Sequence, residues 1–201
     1  MANINKAFGL RPLGKVGSNY NSDGNTQYSI ASGTTDAIFQ GDTVTFSVTG
    51  GGGSASTGFI IKATPGAANI LGVFIGCEYT DPTTSKTTFK NYYPGGVAAS
   101  DIVAFVVDDP YAQFLVQASG VAGVTAIGRN ADLVQTVAGN TTTGVSGLEL
   151  STGTLGSASA LNVKVIGVTA DPSNSDLTAA YADLIVTINE HLYKAPTAGA
   201  A

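Results

Sequence analysis

The chain has 201 residues, nine basic and fourteen acidic side chains, a formal net charge of −5 and only 11% charged residues. That length suits one domain or a domain plus an arm, and two independent cores would be cramped. With 26 glycines, and 24 threonines by count, a mostly helical protein is excluded, since both are poor helix formers and threonine suits a pleated surface.

Residues 1–20 carry Lys6, Arg11 and Lys15 and no acid, whereas the other 181 carry six basic and fourteen acidic residues, a balance of −8. Ile4, Phe8, Leu10 and Leu13 are interspersed without helical or strand periodicity, and Pro12 pushes Arg11 toward an extended conformation. This stretch is expected to be an extended N-terminal arm that docks on an acidic surface, in cis or on a neighbour.

From Thr26 onward strands follow one another. Thr43 to Val48 alternates, with Val44, Phe46 and Val48 facing one way. Gly50 to Gly53 is a flexible connection. Strands are expected at Phe59 to Ala63, Ile70 to Tyr79, Thr87 to Tyr93 and Ile102 to Val107, the last stopped by Asp108-Asp109-Pro110. Tyr111 to Ala118 alternates, with Phe114, Val116 and Ala118 on one face. Asn130 to Ala138 suits a short strand or one helical turn, Leu148 to Leu150 a short strand, and Ser175 to Ala182 a helical turn. Leu161 to Thr169 and Asp183 to His191 are the last strands, and no internal repeat stands out. The expectation is all-β, a sandwich or barrel of jelly-roll-like kind. Its divisions are an arm over residues 1–25, a β domain over 26–194 and a loose tail over 195–201.

Catalytic residue types are scarce. His191 is the single histidine and Cys77 the single cysteine, so neither has the partners of a nucleophilic mechanism or a zinc site. Cys77 lies in an apolar stretch and suits a core position. Asp108 and Asp109 are neighbours on an extended chain and point apart, which suits a turn rather than paired carboxylates. Asn19 to Asn25 lacks the closing Glu of a calcium loop, Gly50 to Gly53 lacks the Lys-Ser/Thr of a P-loop, and Asn140-Thr141-Thr142 is a chance sequon. Tyr79, Tyr92 and Tyr93 suit a sugar platform or, more commonly, interface or core aromatics. No cofactor or metal is expected. Two arginines in all speak against nucleic-acid binding, and no apolar run is long enough for a membrane helix. Nothing at the N-terminus has the apolar run of a secretory signal.

Phe8-Gly9-Leu10-Arg11-Pro12 after Met1-Ala2-Asn3, Val107-Asp108-Asp109-Pro110-Tyr111, Gly147-Leu148-Glu149-Leu150 and Ile185 to His191 together resemble capsid decoration (cement) proteins of tailed bacteriophages. The resemblance implies a β-rich structural virion protein, not an enzyme, that binds the outer capsid surface and stabilises it. It further implies a major capsid protein as partner, a homo-oligomer (a trimer ahead of a dimer), and synthesis in the bacterial host cytoplasm. Lys6, Phe8, Leu10, Arg11 and Lys15 of the arm are then the expected capsid or subunit contacts. The alternative is a carbohydrate-binding or adhesive β-module of a fibre or pilus.

Overall fold

The structure, a computed structural model, describes residues 3–17, 25–48 and 56–200; the Gly50–Gly53 connection and residues 19–24 of the weighed calcium loop lie outside them. Among the described residues the chain is all-β, with two 3-10 turns and no α-helix. The strands are β1 (Arg11–Lys15), β2 (Thr26–Ser29), β3 (Thr43–Val48), β4 (Ser56–Lys62), β5 (Gly72–Thr80), β6 (Thr87–Lys90) and β7 (Val103–Val107). They continue with β8 (Ala112–Gln117), β9 (Asn130–Ala131), β10 (Leu133–Gln135), β11 (Leu148–Leu150), β12 (Val163–Val168) and β13 (Asp183–Ile188). Asn130 to Gln135 thus settles as strand, and Ser175 to Ala182 forms turns without a helix.

The strands close into two rings. In the first, β2 pairs with β7, β7 with β5, β5 with β3 and β3 with β4, all antiparallel, and β4 returns to β2 in parallel. In the second, β8 pairs with β13, β13 with β12, β12 with β9, and β10, which follows β9 after Asp132, with β11, all antiparallel. A parallel bridge from Leu150 to Ala118 returns β11 to β8. Five strands that alternate in direction cannot close without one parallel neighbour, and each ring places it between its first and third strands. Strand β6 is added to the first barrel beside β5, and β1 to the second beside β8.

The two rings also share their register. Phe74 faces Val106, Gly76 faces Phe105 and Cys77 faces Ala104 across β5 and β7, with a bulge between Phe74 and Gly76. Val165 faces Val186, Gly167 faces Ile185 and Val168 faces Leu184 across β12 and β13, with a bulge between Val165 and Gly167. The Ile30 N–H reaches the Ile102 carbonyl as the Ala118 N–H reaches that of Ala182. A repeat is therefore present in the backbone although the sequence did not show one.

Each ring has its own core. Ile30, Val44, Ile60, Phe74 and Val106 fill the first; Phe114, Val116, Leu150, Val165 and Val186 fill the second. Two cores fit in this length because they share a wall. Successive strand residues face opposite ways, so Phe74 points into the first barrel while Val73 belongs to the second core. Val106 and the partly buried Val107 divide in the same way on β7. Val48, expected inward, is 59% exposed, because a bulge between Phe46 and Val48 turns the end of β3 outward.

Two terminal segments depart from expectation. Residues 3–15 hold no helix but lie in the fold: Leu10 is 1% exposed in the second core, and β1 pairs with β8. The tail is fastened rather than loose. Asn130 Nδ2 donates to the Thr197 carbonyl (2.8 Å), Lys164 Nζ to the Ala198 carbonyl (2.8 Å), and the Ala200 N–H to the Gly128 carbonyl (2.7 Å).

Candidate functional site

The five residues expected to make contacts lie along the N-terminal segment, which the second barrel grips by side-chain amides. Asn174 Oδ1 accepts from the Ile4 N–H (2.8 Å), and Gln117 Oε1 accepts from the Lys6 N–H (2.7 Å). Gln117 Nε2 donates to the Ile4 carbonyl (2.9 Å) and Asn3 Nδ2 to the Asp176 carbonyl (2.8 Å). A side-chain amide offers both donor and acceptor, so it can hold an extended strand that has no neighbour in a sheet. Gln117 is itself fully buried and also bonds the Asp183 carboxylate (3.2 Å), whose pKa burial raises.

At Gly9 the segment crosses between the barrels. Its N–H donates to the Leu148 carbonyl of the second (3.2 Å), and the Leu10 N–H donates to the Gly41 carbonyl of the first (2.9 Å). Gly9 and Gly41 have φ of 72° and 92°, the left-handed region that favours glycine. The crossing is also too close for side chains: a Cβ on Gly9 would come within 2.7 Å of the Gly41 oxygen. Beside it, buried Asp42 is shared by both barrels. It pairs with Lys62 Nζ at 2.9 Å and accepts from the Phe39 N–H (2.9 Å) and from the Ser146 hydroxyl across the junction.

The loop from residue 136 to residue 147 leaves the second barrel and rests on the first. Gln40 donates its N–H to the Gly144 carbonyl (2.9 Å) and accepts from the Ser146 N–H (2.9 Å), while Asn91 Nδ2 donates to the Thr143 carbonyl (2.7 Å). Between this loop and residues 5–11 lies an open groove of about 520 Å³, lined by Lys6, Phe8, Arg11, Val137, Asn140 and Val145 among others. The Arg11 guanidinium stands 4.7 Å from the centre of the Phe8 ring, within the range of a cation–π contact.

The structure therefore brings Lys6, Phe8 and Arg11 together at the surface and separates the other two. Leu10 is a core residue, and Lys15 pairs with Asp109 at 2.5 Å. Burial pushes the Asp109 carboxyl up, but the Lys15 ammonium and the Tyr111 N–H outweigh it and hold the pKa below the ordinary value. Sequence reasoning missed the loop wall of the groove. Its one signal was the polar turn from Asn140 to Gly144, which does not show what lies opposite.

The remaining candidates lie apart from one another. His191 is buried, its Nδ1 accepts from the Tyr193 N–H (3.1 Å), and burial lowers its pKa, which favours the neutral ring. Cys77 is fully buried, and burial pushes its thiol up to about 12. Asp108 accepts from Thr26 and from Tyr28 Oη (2.7 Å), away from Asp109. Tyr79 and Tyr93 are core residues and Tyr92 stacks on Phe39, so the three tyrosines form no common platform. Glu149 is buried with its carboxylate bonded by Thr136, and burial raises its pKa. Among the described residues, no three or more His, Cys, Asp or Glu side chains gather as a metal site would require. No family model, curated protein or solved structure matches the chain.

Proposed function

We propose that the chain is a structural virion protein that binds the outer surface of a tailed-bacteriophage capsid and stabilises it, with the major capsid protein as its partner and a trimer as its working form. The observation that carries the reading is the fate of the Phe8-Gly9-Leu10-Arg11-Pro12 segment, one of the stretches on which the resemblance rests. Gly9 and Leu10 brace the two barrels from within, while half-buried Phe8 and exposed Arg11 line the groove. A contact surface held by its own fold loses little conformational entropy on binding, which suits a protein whose work is to clamp a shell.

The test is to add the protein to capsids of the cognate phage stripped of decoration. Sedimentation with the shells at a fixed stoichiometry, with a higher temperature of shell disruption, is expected. Shells that stay bare in imaging would overturn the reading. The alternative, a glycan-binding module, is favoured by one observation. Phe89, 68% exposed, stacks on Phe105 at 5.3 Å beside Asn25, Lys90 and Asn91. Glycan binding lost in Phe89→Ala, with no shell binding, would decide for it.

A further inference from the structure

We infer that the groove between residues 5–11 and 137–147 takes an extended acidic segment of the partner protein; this rests on the reading of the chain as a capsid-binding protein.

The first support is charge. Lys6 and Arg11 are both exposed, and among the described residues neither is in an ion pair with an acid, whereas Lys15 is paired with Asp109 and Lys62 with Asp42. These two cations lie close together along the groove, in a chain whose residues 21–201 sum to −8. They therefore mark a place where carboxylates are attracted, on a chain whose net charge repels them.

The second support is shape and lining. The groove mixes the two cations with apolar walls from Phe8, Val137 and Val145. Val137 is 54% exposed on the wall opposite Phe8. An extended chain points successive side chains to opposite sides, so it can lay small apolar side chains on the floor and present acids to Lys6 and Arg11. Both walls are fixed, by Gln117 and Asn174 on one side and by Gln40 and Asn91 on the other. A nucleic-acid strand fits less well, since it needs a continuous basic track along its phosphates and the groove supplies two cations on an acidic chain.

The probe is a fluorescent ten-residue peptide that alternates Asp or Glu with Ala or Val, compared with its Asn/Gln isostere and with oligothymidine. Binding to the full chain is read by anisotropy at low and at physiological salt. The acidic peptide is expected to bind and the isostere not, with affinity falling as salt rises. The double variant Lys6→Gln/Arg11→Gln should bind about tenfold more weakly or worse, while Lys86→Gln, on an exposed turn, should not change it. Equal binding by the double variant, equal binding of the isostere, or tighter binding of oligothymidine overturns the inference. A capsid assay with the same double variant separates the two readings. Peptide binding without shell binding leaves the groove in place and sinks the capsid reading; undiminished shell binding by the double variant does the reverse.

Discussion

Gly76 of β5 and Gly167 of β12 occupy the same position in their two barrels. Each follows an isoleucine, each ends a bulge, and each faces an outward residue of a neighbouring strand of its ring, Phe105 of β7 in one case and Ile185 of β13 in the other. Their surroundings differ. A Cβ on Gly76 would approach the Lys90 carbonyl of β6 at 2.9 Å, whereas one on Gly167 would meet nothing within 4 Å.

Alanine should therefore act oppositely at the two sites. Gly76→Ala must push β6 away and is expected to destabilise by about 1–3 kcal/mol. Gly167→Ala is expected to be neutral or to stabilise by up to about 1 kcal/mol, through the unfolded chain. Urea unfolding of both variants checks this, and an equal loss at both sites would contradict the difference in packing.

Leu10 anchors the N-terminal segment in the second core. Leu10→Ala is expected to cost about 2–5 kcal/mol, the usual range for a fully buried leucine. A truncation beginning at Gly17 removes Leu10 and β1 together and should lower the thermal midpoint further. A truncated chain as stable as the full one would return the segment to the status of a separate arm.

The buried titratable groups give opposite pH dependences. Burial lowers the His191 pKa, so the folded state takes up a proton less readily than the unfolded chain does. Its stabilisation is complete above an unfolded value of about 6.5 and is lost as pH falls through the lowered folded value. His191→Asn, whose amide oxygen can replace Nδ1 as acceptor, should flatten that acid limb. Burial raises the Glu149 pKa, so its contribution is complete below the unfolded value of about 4.3 and is lost as pH rises through the folded one. Glu149→Gln should then be more stable than the parent at pH 8, with the gain vanishing near pH 4. Unfolding curves at pH 4, 5, 6.5 and 8 test both signs.

Cys77 offers a probe of opening. Its thiol is buried, donates to the Tyr92 carbonyl at 3.6 Å and has its pKa pushed up to about 12. Only the thiolate reacts with alkylating reagents. Labelling at pH 8 should therefore proceed at the rate at which the first barrel opens, and denaturant should accelerate it in step with unfolding. Labelling as fast as a free thiol in buffer alone would show that β5 is accessible in the native state.

Strands with one face on a core were legible in the sequence. Phe114, Val116 and Ala118, like Leu184, Val186 and Ile188, alternate and are buried as the alternation implies. Strand β1 was not legible, because Arg-Pro-Leu-Gly-Lys has no periodicity; its shape comes from β8 and a bulge between Pro12 and Gly14. The closure of the rings was hidden as well, since periodicity reports which face is buried and not which strand lies alongside. At the groove, Lys6, Phe8 and Arg11 stood out by charge and aromaticity. Leu10 was misplaced because a single leucine between glycine and arginine shows no face, and only the crossing of Gly9 over Gly41 turns it inward.

The shared ring order has a consequence for the work its side chains can do. Ile30 and Ala118, Phe46 and Leu133, Phe74 and Val165 hold matching places in the two ladders, so one hydrogen-bond register carries two different sets of side chains. Val73 of the first faces the neighbouring core, while Lys164, its counterpart in the second, faces outward and holds the tail at Thr197 and Ala198. One position of the shared ladder thus serves as a seam in one half of the molecule and a cleat in the other.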